Sequence, residues 1–115
     1  MKIGFIGLGN VGCKLASSLM RNNFDLTVRD LDKNLTKSFE DQGAKVVNSP
    51  KELAEEVDVI ITCLPSPSIC AEVMEGEDGI LNGLSENKIW LEMSTTDEAE
   101  VKRIGEKVIA KKAIP

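Results

Sequence analysis

The sequence contains no histidine among its 115 residues. Without an imidazole, neither a Ser-His nor a Cys-His nucleophile can form within the chain, so covalent hydrolytic chemistry is a poor hypothesis. Cysteine is also scarce: Cys13, Cys63 and Cys70 form no C-x-x-C pair and fall inside predicted helix or strand. Three cysteines with this spacing argue against disulfides and zinc, so we expect no metal site and a reducing, cytoplasmic location.

Long apolar runs and clusters of basic residues are also absent. No segment approaches the length of a membrane span, and glycines interrupt the apolar N-terminal stretch, unlike a secretion signal. The 14 lysines and arginines are scattered along a chain of formal net charge −5, so we expect neither nucleic acid nor a membrane as a partner. With 42% hydrophobic residues, the chain is long enough for one soluble domain with its own core.

What the sequence does contain is a glycine-rich turn directly after its first apolar run. Residues 3–6 are typical of a buried parallel strand, and from Val11 onward the apolar residues recur at helical spacing. Between them, Gly7, Gly9 and Gly12 have the spacing G-x-G-x-x-G. In dinucleotide-binding proteins the first glycine makes the tight turn, the second lets the backbone approach the pyrophosphate, and the third lets helix pack on strand. The alternative is a turn whose glycines serve packing alone.

An acidic residue follows at the distance that this motif requires. Asp30 ends the second apolar run, FDLTVRD, eighteen positions after Gly12. A carboxylate there accepts hydrogen bonds from the adenosine ribose and repels a 2′-phosphate, which predicts NAD in preference to NADP. Asp32 is better placed to cap the next helix, and Leu31 offers no guanidinium to a 2′-phosphate. We expect Arg29 to alternate to the other face of the strand.

Strand and helix signals alternate along the rest of the chain. Ser49-Pro50 and Ser66-Pro67 each place a serine N-cap before a proline, and residues 57–64 and 88–93 have the composition of buried strands. In the helix that begins at Ser66-Pro67, we expect Ile69 and Val73 to face the core. These repeated units predict an α/β fold of the Rossmann type, a three-layer, doubly wound parallel sheet that binds ligands beyond the carboxyl ends of its strands.

Three loops at predicted strand ends are therefore the candidate site. The first is the glycine turn. In the second, residues 63–69 (CLPSPSI), Leu64-Pro65 forms a stiff apolar edge; the alternative is that Pro65 only ends the strand and starts a helix. In the third, residues 92–96 (EMSTT), the hydroxyls of Ser94 and Thr95 either bond the cofactor or only cap the following helix.

In this order and spacing, MKIGFIGLGNVG, the Asp30 strand end, CLPSP and EMSTT resemble the cofactor half of the 3-hydroxyisobutyrate dehydrogenase-like β-hydroxyacid dehydrogenases, relatives of 6-phosphogluconate dehydrogenase. The resemblance covers the whole chain. It implies a pyrophosphate on the glycine turn, the adenosine ribose at Asp30, the nicotinamide-side ribose at Leu64-Pro65 and the nicotinamide end at Thr95. The expected cofactor-binding residues are Gly7, Leu8, Gly9, Asn10, Val11, Gly12, Asp30, Leu31, Leu64, Pro65, Ile69 and Thr95.

The chain departs from the family pattern at three places. Val11 stands where the family usually has methionine, and Glu92 where aspartate is common; both changes look tolerable. Asp30-Leu31 stands where NADP-using members tend to carry Asn-Arg, which supports NAD.

The resemblance implies an oxidoreductase that transfers hydride between a 3-hydroxyacid and nicotinamide. Members continue past the position of Pro115 into a glycine-rich substrate loop and a helical domain, which carries the catalytic lysine and most subunit contacts. We therefore expect residues 1–115 to be the dinucleotide-binding domain of a longer, homo-oligomeric, NAD-dependent enzyme, with no catalytic residue in this chain. The final AIP is then a sixth strand cut short.

Two other functions share the glycine turn. One is a stand-alone NAD-sensing or regulatory module, and the other is a pyrroline-5-carboxylate reductase-like domain. The Leu-Pro and Ser-Thr loops after the fourth and fifth strands favour the dehydrogenase over both.

Overall fold

The chain folds around a five-stranded parallel sheet. A computed structural model describes residues 1–93 and 98–115. The strands are β1 (Lys2–Ile6), β2 (Asp25–Arg29), β3 (Lys45–Val46), β4 (Val59–Thr62) and β5 (Ile89–Glu92). The helices are α1 (Asn10–Arg21), α2 (Lys33–Glu40), α3 (Pro50–Glu56), α4 (Pro67–Glu75) and α5 (Glu98–Ala110), with a 3₁₀ turn at Ile80–Asn82. The strand order β3-β2-β1-β4-β5 is the Rossmann-type order, in which the chain winds outward from β1 on both sides.

Apolar side chains from the sheet fill two separate cores. Phe5 of β1 packs with Ala16 of α1 and Phe39 of α2 on one face. Ile6, the next residue, packs on the other face, where α3, α4 and α5 contribute residues such as Leu53. Successive side chains of a strand point to opposite faces, so helices cover both sides of the sheet. The predicted three-layer, doubly wound α/β fold is confirmed.

Side chains that accept main-chain N–H groups fix the starts of three helices. Ser49 Oγ accepts the N–H of Glu52 at 3.1 Å, and Ser66 Oγ accepts that of Ile69 at 3.3 Å. Asp32 Oδ1 accepts the N–H of Asn34 at 2.9 Å. Each bond satisfies a donor that the first turn of a helix leaves free, so the caps predicted at these positions are confirmed.

The inner face of α4 differs from the prediction. Ile69 is 40% exposed, whereas Cys70 and Met74, one position further along, are almost fully buried. Val73 is partly buried against the same core. Ile69 with Val73, and Cys70 with Met74, are both apolar pairs at i, i+4 spacing, so the sequence pattern fits either pair. The packing in the structure buries Cys70 and Met74. Ile69 is thereby left facing out of the core.

The predicted sixth strand is present as a single parallel bridge. Ile114 pairs with Ile89 of β5, donating its N–H to the carbonyl of Lys88 at 2.7 Å and accepting the N–H of Trp90 at 2.8 Å. Among the described residues, no helix combines the length and the apolar character needed to cross a membrane.

An ion-pair network joins α4 to α5. The carboxylate of Glu75 accepts two hydrogen bonds from the guanidinium of Arg103, at 2.6 and 2.8 Å, and a third from Lys107. Arg103 first, and Lys107 second, lower the pKa of Glu75 from 4.5 to about 2. Ionised Glu75 therefore stabilises the folded chain above pH 4.5, and this contribution is lost as the pH falls towards 2.

We expect Glu75→Gln to lower the free energy of unfolding by about 1 kcal/mol near neutral pH, since solvent screens a partly exposed ion pair. The difference from the unmodified chain should close as the pH falls from 5 to 2. Urea unfolding across this range measures it, with the exposed Glu106→Gln as the matched control. If the difference in free energy of unfolding between Glu75→Gln and the unmodified chain stayed constant with pH, the ion pair would not be the origin of the effect.

Candidate functional site

The carboxyl ends of the central strands open onto a cavity of about 960 Å³. This volume suits a large organic ligand. The walls come from the glycine turn, the end of β2, the loop after β4, the first turns of α4 and residues 76–79. The predicted site residues that line it are Gly7, Gly9, Asn10, Val11, Gly12, Asp30, Leu31, Leu64, Pro65 and Ile69.

The three glycines of the turn have three different surroundings. Gly7 has a φ of +99°, and a Cβ there would overlap the carbonyl group of Cys63. A Cβ on Gly12 would overlap the carbonyl oxygen of Gly7 and lie 3.3 Å from the ring of Phe5. At Gly9 no atom of residues 1–93 and 98–115 lies within 4 Å of the Cβ position, so these residues leave this part of the backbone open. The arrangement reproduces the turn, the packing contact and the open approach that a pyrophosphate site needs.

The N-terminus of α1 faces the cavity with free donors. The first helical hydrogen bond joins the N–H of Cys13 to the carbonyl of Gly9 at 2.7 Å, so the N–H groups of Asn10, Val11 and Gly12 have no helical carbonyl to bond. Gly9 supplies no side-chain cap, and the first turn of α1 carries no acidic residue. Together with the positive end of the helix dipole, these donors suit an anionic ligand.

Asp30 lies at the rim of the cavity with both carboxylate oxygens engaged. Oδ2 accepts the N–H of Leu8 at 2.6 Å, and Oδ1 accepts the N–H of Asp32 at 2.9 Å. Leu8 is absent from the cavity wall: its side chain is fully buried, and its N–H already has a partner. A carboxylate oxygen has more than one lone pair, so Asp30 retains acceptor capacity for a ligand.

Arg29 does not turn away from this region as the sequence predicted. It lines the same cavity as Asp30, and its Nη1 donates to the main-chain carbonyl of Asp30 at 2.6 Å. Alternation along the strand fixes the direction of the Cβ only, and a long arginine side chain can fold back to a nearby carbonyl. The Nε atom is buried and has no partner among the described residues.

Acidic residues outnumber basic ones in the described wall of the cavity. Its described wall contains the carboxylates of Asp30, Asp32, Glu72, Glu77 and Asp78, whereas Arg29 is the one cationic residue in that wall. Glu72, Glu77 and Asp78 were not among the predicted site residues, although the acidic stretch around the end of the fourth helix was an available signal. These acidic side chains repel additional negative charge on a ligand.

Two of the three free cysteines lie near the end of β5. Cys63 lines the cavity, while Cys70 is buried and its thiol donates to Glu92 Oε2 at 2.7 Å. Burial raises the pKa of both thiols, so they stay protonated and are poor nucleophiles near neutral pH. In the described part of the chain, no three His, Cys, Asp or Glu side chains are grouped as a metal site. Thr95 lies outside the described residues.

A positive-φ glycine turn, an uncapped helix N-terminus and an acidic residue at the end of β2 define a Rossmann-type dinucleotide-binding domain. Residues 2–114 match the family described as the NAD binding domain of 6-phosphogluconate dehydrogenase. The chain belongs to this family, as its resemblance to the β-hydroxyacid dehydrogenases implied.

Curated relatives of the chain are much longer proteins. The mitochondrial 3-hydroxyisobutyrate dehydrogenase of Homo sapiens is 38% identical over 106 residues, which cover 92% of this chain and 32% of that protein. A probable mitochondrial 3-hydroxyisobutyrate dehydrogenase of Dictyostelium discoideum is 39% identical over 110 residues, covering 96% and 34%. The chain thus spans about a third of the length of the curated relatives that it matches.

Solved structures share the fold at lower sequence identity. A 3-hydroxyisobutyrate dehydrogenase of Salmonella typhimurium has a TM-score of 0.90 at 22% identity, covering 98% of this chain and 39% of that one. Psf3 in complex with NADP+ and 2-OPP has a TM-score of 0.91 at 20% identity, covering 97% and 40%. At these identities the likeness establishes the fold.

Proposed function

We propose that the cavity binds NAD, and that residues 1–115 are the cofactor domain of a longer enzyme that transfers hydride between a 3-hydroxyacid and nicotinamide. The observation that carries this proposal is the open backbone at Gly9 beside the free N–H groups of α1. A pyrophosphate fits there because Gly9 has no Cβ to fill the space, and because these N–H groups have no partner among the described residues. When bound, NAD supplies the hydride acceptor.

Most of the predicted cofactor-binding residues contact NAD in this proposal; Leu8, whose side chain is buried away from the cavity wall, does not. The N–H groups of Asn10, Val11 and Gly12 hold the pyrophosphate, and Asp30 accepts hydrogen bonds from the adenosine ribose. Leu31, which is 86% exposed, and Ile69 present apolar surface at the rim of the cavity to the adenosine half.

The nicotinamide half of the cofactor lies further along the cavity in this proposal. Leu64 and Pro65 border the ribose on the nicotinamide side, and the hydroxyl of Thr95 remains a prediction for the nicotinamide end. The catalytic group belongs to the part of the enzyme beyond this domain; the described cavity wall contains no lysine.

The charge of the cavity favours NAD over NADP in this proposal. We expect the 115-residue chain to bind NADH at least about tenfold more tightly than NADPH at low salt, since one 2′-phosphate beside Asp30 meets an acidic wall. The difference should shrink at about 0.5 M salt, where exposed charges are screened. Fluorescence titration with both cofactors measures it. Equal affinities would contradict the proposed preference for NAD.

The proposed hydride transfer from a 3-hydroxyacid must be tested on the full-length protein. Assays on 3-hydroxyisobutyrate and related hydroxyacids test it, and turnover by the 115-residue chain alone would contradict a catalytic group outside it. Membership of the family favours this function over a stand-alone sensor or a pyrroline-5-carboxylate reductase-like domain. Homo-oligomerisation of the longer protein and a cytoplasmic location belong to the same proposal; the three free cysteines support a reducing compartment.

A further inference from the structure

One carboxylate connects the glycine turn to the loop after β2. Asp30 Oδ2 accepts the N–H of Leu8, at the centre of the turn, at 2.6 Å. Asp30 Oδ1 accepts the N–H of Asp32, the N-cap of α2, at 2.9 Å. Two further bonds brace the same junction: Gly7 N–H to the carbonyl of Arg29 at 3.2 Å, and Arg29 Nη1 to the carbonyl of Asp30 at 2.6 Å.

The bond to Leu8 matters because the turn is an unusual conformation. The backbone leaves β1 through the positive φ of Gly7, and the Leu8 side chain is fully buried directly afterwards. The N–H of Leu8 lies between these two constraints, and Asp30 is its partner. An N–H group that is left without a hydrogen-bond partner destabilises the fold. We therefore expect the turn to rearrange when the carboxylate is removed.

We propose that Asp30 is a positioning residue for the phosphate-binding turn, in addition to its contact with the ribose. This inference rests on the proposed function, in which the turn and the N-terminus of α1 hold the pyrophosphate of NAD. Asp30 holds the turn in place through Leu8, so that the donors of Asn10, Val11 and Gly12 are preformed. Its removal then weakens binding of a phosphate group that Asp30 does not touch.

Inorganic pyrophosphate separates this role from the ribose contact, because it has no ribose. Pyrophosphate binding also distinguishes the positioning role of Asp30 from the direct effect of its charge. Removing a carboxylate near an anion should, by charge alone, strengthen anion binding. Weaker binding of pyrophosphate after loss of Asp30 has the opposite sign and reports on the turn.

The experiment compares Asp30→Ala and Asp30→Asn with the control Asp58→Ala. Asp58 Oδ2 accepts the N–H of Lys2 at 2.9 Å, so it makes the same kind of bond to β1 at the opposite end of the strand. Amide hydrogen exchange at Leu8 is followed by NMR in the free chain. Affinities for pyrophosphate and NADH come from NMR and fluorescence titrations of the same samples.

We expect Asp30→Ala to speed exchange of the Leu8 amide by about tenfold or more, relative to the other amides of β1 and α1. The dissociation constant for pyrophosphate should rise by about fivefold or more, because the donors are no longer preorganised. Asp30→Asn retains one side-chain acceptor, so both the exchange rate and the dissociation constant should rise by less. If the alanine variant does not fold, these two measurements on Asp30→Asn test the inference. Asp58→Ala should leave both quantities unchanged.

A loss of NADH affinity with unchanged Leu8 exchange and unchanged or tighter pyrophosphate binding would overturn the inference and leave Asp30 with the ribose alone. If the unmodified chain bound neither NADH nor pyrophosphate, the proposed function would fail instead. Leu8 exchange in the free chain would then still decide whether Asp30 holds the turn.

Discussion

Replacing Gly12 with alanine lowers the free energy of unfolding by about 3 kcal/mol, the upper part of the range for forcing a methyl group into a packed site. Alanine normally favours a helix over glycine, and Gly12 lies in the first turn of α1. The added Cβ, however, would overlap the carbonyl oxygen of Gly7 and press on the ring of Phe5 at 3.3 Å. Neither the main chain of the turn nor the buried ring can move away cheaply. Urea unfolding measures the loss.

Gly105→Ala is the matched control for this substitution. Gly105 lies inside α5, where the nearest atom to an added Cβ is the Cβ of Pro115 at 3.6 Å, an ordinary contact. The same change there should raise the free energy of unfolding by about 0.5–1 kcal/mol, the helix propensity gain of alanine over glycine. Opposite signs at the two glycines are the expected result. A Gly12→Ala chain as stable as the unmodified one would contradict the close approach of α1 to the glycine turn.

Replacing Gly9 with alanine should have the opposite effect: the fold stays intact and the affinity for NADH falls. Gly9 has φ −68° and ψ −164°, which alanine adopts, and no atom in the described part of the chain lies within 4 Å of the new Cβ. Gly9 is the N-cap of α1, a position that favours glycine over alanine, so the free energy of unfolding should fall by less than about 1 kcal/mol. The methyl group would fill the space through which the pyrophosphate approaches, so affinity for NADH should fall by about tenfold or more, a cost of at least ~1.4 kcal/mol.

Fluorescence titration of NADH into the Gly9→Ala chain checks this result, with urea unfolding of the same sample as the control for folding. Unchanged NADH affinity would place the pyrophosphate away from Gly9. Equal losses of stability and affinity would show that Gly9 has a packing role like that of Gly12.

The sequence was most informative where one short segment determines its own structure. A glycine at positive φ, or a serine that accepts an N–H three residues later, depends on neighbours in the sequence. Gly7 and the caps at Ser49 and Ser66 were therefore predicted correctly. The doubly wound parallel sheet was also predicted correctly, because alternating strands and helices with short connections admit few arrangements.

Contacts between distant segments were not predictable in the same way. The bond from Leu8 to Asp30 spans 22 positions, and Lys88 donates to the carbonyls of Ala54 and Glu55 at the end of α3. No local pattern marks either pair. The position of the Arg29 guanidinium was not predictable either. Alternation along a strand predicts the direction of the Cβ, but not the hydrogen bond from the guanidinium to the carbonyl of Asp30.

NMR mapping of NADH on the 115-residue chain tests most directly whether the cavity at the carboxyl ends of the strands is the cofactor site. We expect the largest changes in amide shift at residues 9–12 and 30–31, with further changes at 64–69. Residues at the opposite end of the sheet, such as Lys2, Lys45 and Glu56, should not respond. Shifts confined to that opposite end, or none at millimolar NADH, would contradict the assignment of this cavity to NAD.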